Sequence, residues 1–217
     1  MFERPNSPDT NSFSTLRRLA REATRNAEEH CDLCGEPISQ EHRHLLSLSS
    51  RELLCACRAC AILFDQAAAG GGARRLVPTR RLRLAGFDMT DAQWESLRVP
   101  VNMAFFTYHT AAGRMTAFYP GPMGPTESLL DLETWTDLER RNPALAELAP
   151  DVEALLVNRV RDARQYFLVP IDECYRLVGL IRVHWKGLGG GPAVWKEINQ
   201  FFADLGERAV LVGGPDA

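Results

Sequence analysis

The chain has 217 residues, room for one full-sized domain and a small satellite, since domains run to about 100–200 residues. Its 45% hydrophobic and 24% charged side chains exclude a disordered, collagen-like or coiled-coil chain. A formal charge of −3 offers no global basic field to a nucleic acid or an anionic membrane, and no apolar run approaches the roughly 18 residues of a membrane helix.

In chain order, the opening MFERPNSPDTNSF has no apolar stretch behind a basic start, so no secretory signal is expected and the chain reads as cytoplasmic. Residues 1–29 read as a mobile tail followed by a short helix from Ser14 or Thr15. Residues 30–68 hold the cysteine-rich module, 69–84 a Gly/Arg-rich linker beginning at Gly70, Gly71 and Gly72, and 85–213 a larger domain. Within the module, His44 to Leu48 and Glu52 to Cys55 pair around Ser49 and Ser50, and a helix runs on from Cys60. In the larger domain Thr90 caps a short helix, and Val101 to His109 and Arg114 to Tyr119 form a hairpin. The PGPMGP run at 120–125 then reads as the start of a long loop. A helix is expected over Leu129 to Arg141 and a better one over Asp151 to Arg164, where Val152, Leu155, Leu156, Val160 and Ala163 recur at helical spacing. Gln165 to Val169 and Tyr175 to Trp185 read as strands, and Pro192 opens a last helix carrying Trp195, Ile198, Phe202 and Leu205. The fold class is therefore α+β: a small four-cysteine zinc module, treble-clef or ribbon-like, followed by an α+β sandwich with a mainly antiparallel sheet.

Five of the six cysteines fall between Cys31 and Cys60, which in a cytosolic chain points to metal or redox chemistry. Cys31 and Cys34 form one CxxC pair, Cys57 and Cys60 another, and 22 residues separate the two. Two such pairs supply four thiolates to one tetrahedral ion, and the helix after the second pair would stabilise its thiolates with its N-terminal partial charge. Zinc is the expected cofactor, because a closed four-thiolate site is redox-silent and can fold a module too small for a core of its own; iron is the alternative. Cys55 is the odd thiol, able to replace Cys57, to sit beside the metal, or simply to pack. His42 and His44 share its two-residue offset and would form a second or mixed site as ligands, against the simpler reading of exposed hairpin residues.

Arg74, Arg75, Arg80, Arg81 and Arg83 read as a basic linker for an acidic protein surface rather than for nucleic acid. Gly187 to Gly191 lacks the Gly-Lys-Ser/Thr ending of a phosphate loop and reads as a connection. His109 with His184, and Asp172, Glu173 and Cys174, can be drawn as a thiol-enzyme site, but no spacing demands it.

VPVNMAFFTYH (99–109), AFYPGPMGPTES (117–128), APDVEALLVNR (149–159) and VPIDECYRLVGLIRVHWKGLGGGPAVW (169–195) together resemble a functionally uncharacterised, largely actinobacterial family whose members accompany nickel-iron hydrogenase gene clusters. The resemblance implies a role beside a hydrogenase and brings no catalytic residue with it. The resulting expectation is a non-catalytic zinc-binding accessory protein whose partner is a hydrogenase subunit or maturation factor. A rubredoxin-like iron-thiolate carrier is the alternative and a thiol-dependent enzyme the third reading.

Overall fold

The structure, a computed structural model, describes residues 29–66, 71–128, 131–187 and 189–213; the tail and helix expected over 1–29 lie outside these except for Glu29. Two sheets organise the described chain. The smaller has three antiparallel strands, β1 (Arg43–Ser47) in the centre, β2 (Leu53–Ala56) on one side and β3 (Arg74–Leu76) on the other. Helix α1 (Arg58–Asp65) follows β2 directly. β3 thus lies in the stretch read as a linker, so the described part of 69–84 is folded structure. A basic run can serve as strand when its alternate side chains find partners.

The larger sheet holds β4 (Leu82–Leu84), β5 (Met103–His109), β6 (Arg114–Gly121), β7 (Gly124–Ser128), β8 (Glu153–Asn158), β9 (Gln165–Pro170) and β10 (Val210–Val212). Its spatial order is β10-β4-β9-β8-β5-β6-β7, and every pairing is antiparallel except β10 with β4. The fold is α+β with a mostly antiparallel sheet, preceded by the cysteine cluster. Helices α2 (Asp91–Ser96) and α3 (Leu132–Arg141) cover one face, and α4 (Ile171–His184) and α5 (Gly191–Arg208) cover the other. Thr90 caps α2 as its sequence predicts, with Gln93 completing a capping box.

Burial on both faces explains the first of three corrections. β8 is a central strand whose six residues are all buried: Ala154 and Leu156 face the α4/α5 core, and Leu155 and Val157 the α2/α3 core. A continuous apolar run of this kind has no period of two, so 151–164 imitates a helix. The second correction is α4, which Tyr175, Leu177, Ile181, Val183 and Trp185 had suggested as a strand. Its buried face is instead Ile171, Cys174, Leu177, Val178 and Ile181, at helical spacing, and Val183 is 75% exposed. Asp172 and Glu173 in its first turn and Arg182 and His184 in its last were the unused signal, since that order complements the helix dipole. Third, 120–125 is a tight hairpin: Gly121 pairs with Gly124, and Pro120 faces Pro125 beyond the last β5 pair. Proline is tolerated here because β7 is an edge strand.

The two sheets meet through alternate residues of β1. Leu45 joins the cysteine cluster, whereas Leu46, with Val77, enters the α4/α5 core. Buried Asp151 fastens the seam, accepting from Arg51 at 2.8 Å and from the Thr110 hydroxyl at 2.7 Å.

Candidate metal centre

Residues 31–35 form a tight turn closed by two backbone bonds, Cys31 N–H to Glu36 O and Gly35 N–H to Cys31 O, each 2.8 Å. Gly35 sits at φ 76°, which a side chain would strain. On the other side Cys57 is the N-cap of α1, and its Sγ accepts from Cys60 N–H at 3.4 Å. Asp32 ties the turn to β2, its carboxylate accepting from Cys55 N–H at 2.6 Å and its own N–H donating to Cys55 O at 2.9 Å.

These contacts bring the sulfurs of Cys31, Cys34, Cys57 and Cys60 within 4.8 Å of one another. Cys34 and Cys57 Sγ are 3.7 Å apart, close to the roughly 3.8 Å edge of a tetrahedron built on zinc–sulfur bonds of about 2.3 Å. Cys31 and Cys60 are buried, Cys34 is exposed. Burial pushes the Cys31 thiol up, but backbone N–H bonds from Cys57, Leu33 and Cys34 outweigh it and bring the value down to about 6. Cys60 is pushed up to about 12 by burial and by the other three sulfurs. Four such groups cannot all ionise side by side without a cation, so this donor set fits a soft or borderline metal ion.

Cys55 does not replace Cys57. β2 ends at Ala56 and the chain turns into the cap, so the same-face relation expected of a strand is broken between the two. Cys55 instead lies opposite His44 in the β1–β2 ladder, and His42, His44 and Cys55 form a second group within 4.8 Å. Burial, with Asp32 and Glu29 nearby, pushes the Cys55 thiol up.

Four arginines of the basic stretch are engaged within the chain, while Arg83 lies exposed on β4. Arg75 donates to Pro150 O at 2.8 Å, Arg80 to both oxygens of Glu153 at 2.6 and 2.8 Å, and Arg81 to Glu173 at 2.6 Å. Arg74 stacks over Phe64, 5.3 Å from the ring centre. The acidic surface it was expected to touch is the larger domain of its own chain. Cys174 is fully buried in the α4/α5 core, where desolvation raises its thiol well above the usual value, so the Asp172, Glu173 and Cys174 run presents no accessible thiol. His184 ends α4, its Nδ1 3.0 Å from Leu180 O. Gly190 caps α5 at φ 79°, where a Cβ would lie 2.9 Å from Val194 and 3.1 Å from the Trp185 ring; packing, not phosphate binding, explains that glycine.

A family model matches residues 30–209, that of a family of unknown function, DUF5947. The chain belongs to this family. Searches of curated proteins and of solved structures give no significant match. The DUF5947 match starts beside the first cysteine of the cluster and takes in both sheets as far as the end of α5, so cysteine cluster and larger sheet fall within one family unit. Sequence reasoning placed Asp172 beside Cys174 and missed its pairing with His44, whose Nδ1 lies 2.9 Å from Asp172 Oδ2 across 128 residues of chain; no local spacing announces such a pair. No helix among the described residues is long and apolar enough to cross a membrane.

Proposed function

We propose that this DUF5947 member is a non-catalytic zinc-binding accessory protein that works by binding another protein. The observation that carries this reading is the convergence of Cys31, Cys34, Cys57 and Cys60. Four thiolates close a tetrahedral ion and leave it no position for water or substrate, which suits a structural role. Helix α1 adds an adhesive face beside the cluster, with Ile62 58% and Leu63 52% exposed. The partner proposed is a nickel-iron hydrogenase subunit or maturation factor. That part rests on the family resemblance of the four quoted stretches alone.

The test is elemental analysis of the purified native protein together with tagged co-purification and mass spectrometry. About one zinc per chain at the cysteines and a hydrogenase component in the eluate are expected. Stoichiometric iron with thiolate-to-iron absorption would replace this reading by a rubredoxin-like electron carrier. A turnover lost on Cys174→Ser would overturn it in favour of an enzyme.

A further inference from the structure

The face of the small sheet turned away from the four sulfurs carries its own donor set. His42 and His44 lie two residues apart, Cys55 sits directly across from His44, and their ligand atoms lie within 4.8 Å of one another. The two imidazoles meet edge to face with centroids 4.8 Å apart.

Each ring is already oriented by its other nitrogen. His42 Nδ1 is 2.8 Å from Ser39 O, with Glu29 Oε2 at 3.4 Å, and His44 Nδ1 is 2.9 Å from Asp172 Oδ2. A carbonyl or carboxylate oxygen only accepts, so each Nδ1 carries a proton, and in the neutral imidazole it is Nε2 that presents the lone pair. This is the arrangement by which metal-binding histidines are held, a backbone carbonyl or a carboxylate fixing tautomer and ring angle. His42 is only 9% exposed, and its Nε2 is buried without a hydrogen-bond partner, as is Asp172 Oδ1. Buried polar atoms are rarely left so, and an imidazole nitrogen in a group whose ligand atoms lie within 4.8 Å of one another is one that a cation would satisfy.

We propose that His42 Nε2, His44 Nε2 and Cys55 Sγ bind a second metal ion, zinc or another borderline divalent ion, with Asp172 as the positioning residue on His44. Three protein ligands leave one place of a tetrahedral ion for water. His42, His44 and Asp172 also line a cleft of about 690 Å³ between β1 and α4, which gives that place access to solvent. The ion would tie β1 and β2 to α4, because Asp172 belongs to the larger domain. The proposal does not depend on the four-sulfur site, whose ligands lie on other residues.

The experiment is cobalt titration of the full chain under reducing conditions, with metal content measured after gel filtration. The expected wild-type result is two ions per chain, one with a four-thiolate spectrum and one with a single-thiolate spectrum. His42→Asn and Cys55→Ser should each remove the second and keep the first, and Asp172→Asn should weaken the second by about 10–100-fold while leaving the first unchanged. An ion lost on Cys34→Ser but kept in His42→Asn belongs to the four-sulfur site, so failure of either site is told apart from failure of the other. If a ligand variant fails to fold, Asp172→Asn, outside both ligand sets, decides. Unchanged affinity for both ions in it, or a second ion that survives in His42→Asn, overturns the proposal, as does a wild type that takes up no ion beyond the four-sulfur one.

Discussion

On one face of the three-stranded sheet, Leu45 and Ala56 close over the sulfur cluster with Ala61 of α1; on the other, Leu46 enters the α4/α5 core beside Val77. Adjacent residues of one strand thus serve two different centres. The sulfur face is a satellite cluster of a few side chains, far too small to fold by apolar burial alone. The opposite face is joined to a larger core and stitched to it by Arg51–Asp151, Arg80–Glu153 and His44–Asp172. On the proposed reading an ion at the four sulfurs holds one side of the sheet, whereas burial and hydrogen-bonded side-chain pairs already hold the other.

Breaking the sulfur side should give the largest effect. Cys34→Ala or Cys60→Ala is expected to release the ion and to remove most of the folding free energy it contributes, on the order of 10 kcal/mol for a structural zinc module. Hydrogen exchange should then show β1, β2 and β3 unprotected, while β5, β8 and β9, buried between two helical layers, keep their slow amides. If all strands lose protection together, the two faces are one cooperative unit and the contrast collapses.

The next effect tests the stitched side. Arg80→Ala leaves the Glu153 carboxylate, 1% exposed, without its bidentate partner. Removing one half of a buried pair costs about 3–5 kcal/mol, and because Arg80 itself is 39% exposed we expect nearer ~2 kcal/mol, read as a shift in the urea midpoint. Adding Glu153→Gln should recover much of that loss, since the cost is the orphaned charge rather than the missing contact. No recovery would mean that the arginine acts through packing.

How much of this was legible in the sequence follows from the range of each interaction. The sulfur cluster is local: two CxxC pairs and a cap at Cys57 stand close in sequence, so spacing alone pointed to the four sulfurs lying together. α5 was read correctly because it has one buried face and hence a clear period, whereas β5, buried on both faces, was legible from its aromatic and β-compatible residues and the Ala111–Gly113 turn after it. β8 was misread because two buried faces erase the period, and α4 because Leu177, Ile181 and Trp185 fit both a period of two and a helical stripe. The second donor set was visible only as a two-residue offset between His42 and His44. The proximity of Asp172 depends on how α4 packs on the small sheet, which no local pattern encodes. The arginines of 74–83 misled for the same reason, their acidic partners lying 67 to 92 residues away in the cases of Arg80 and Arg81.

The smallest expected effect sharpens the comparison most, because it is confined to the seam. Glu173, 4% exposed at its side chain, accepts from Arg81 at 2.6 Å and from Arg208 at 2.9 Å, with Arg176 at 3.1 Å. Burial alone would raise its carboxyl, but the Arg208 and Arg81 hydrogen bonds and the Arg176 charge outweigh burial and hold it below the usual range. A carboxyl whose folded value is depressed stabilises the protein fully above the unfolded value of about 4.3, and that contribution is lost as pH falls through the folded value. Glu173→Gln should therefore cost about 1–2 kcal/mol from neutral pH down to about pH 5, the worth of hydrogen bonds to a charged group beside partly solvated arginines. Below that the gap between variant and wild type should close. Because Arg81 leads into β4, Glu173 and Arg176 lie on α4 and Arg208 ends α5, the loss should appear in the amides of these elements and leave the sulfur cluster with its ion. A gap that widens in acid would mean that the carboxyl is protonated in the folded state at neutral pH, and an ion lost from the cysteines would mean that the two faces of the small sheet are coupled after all.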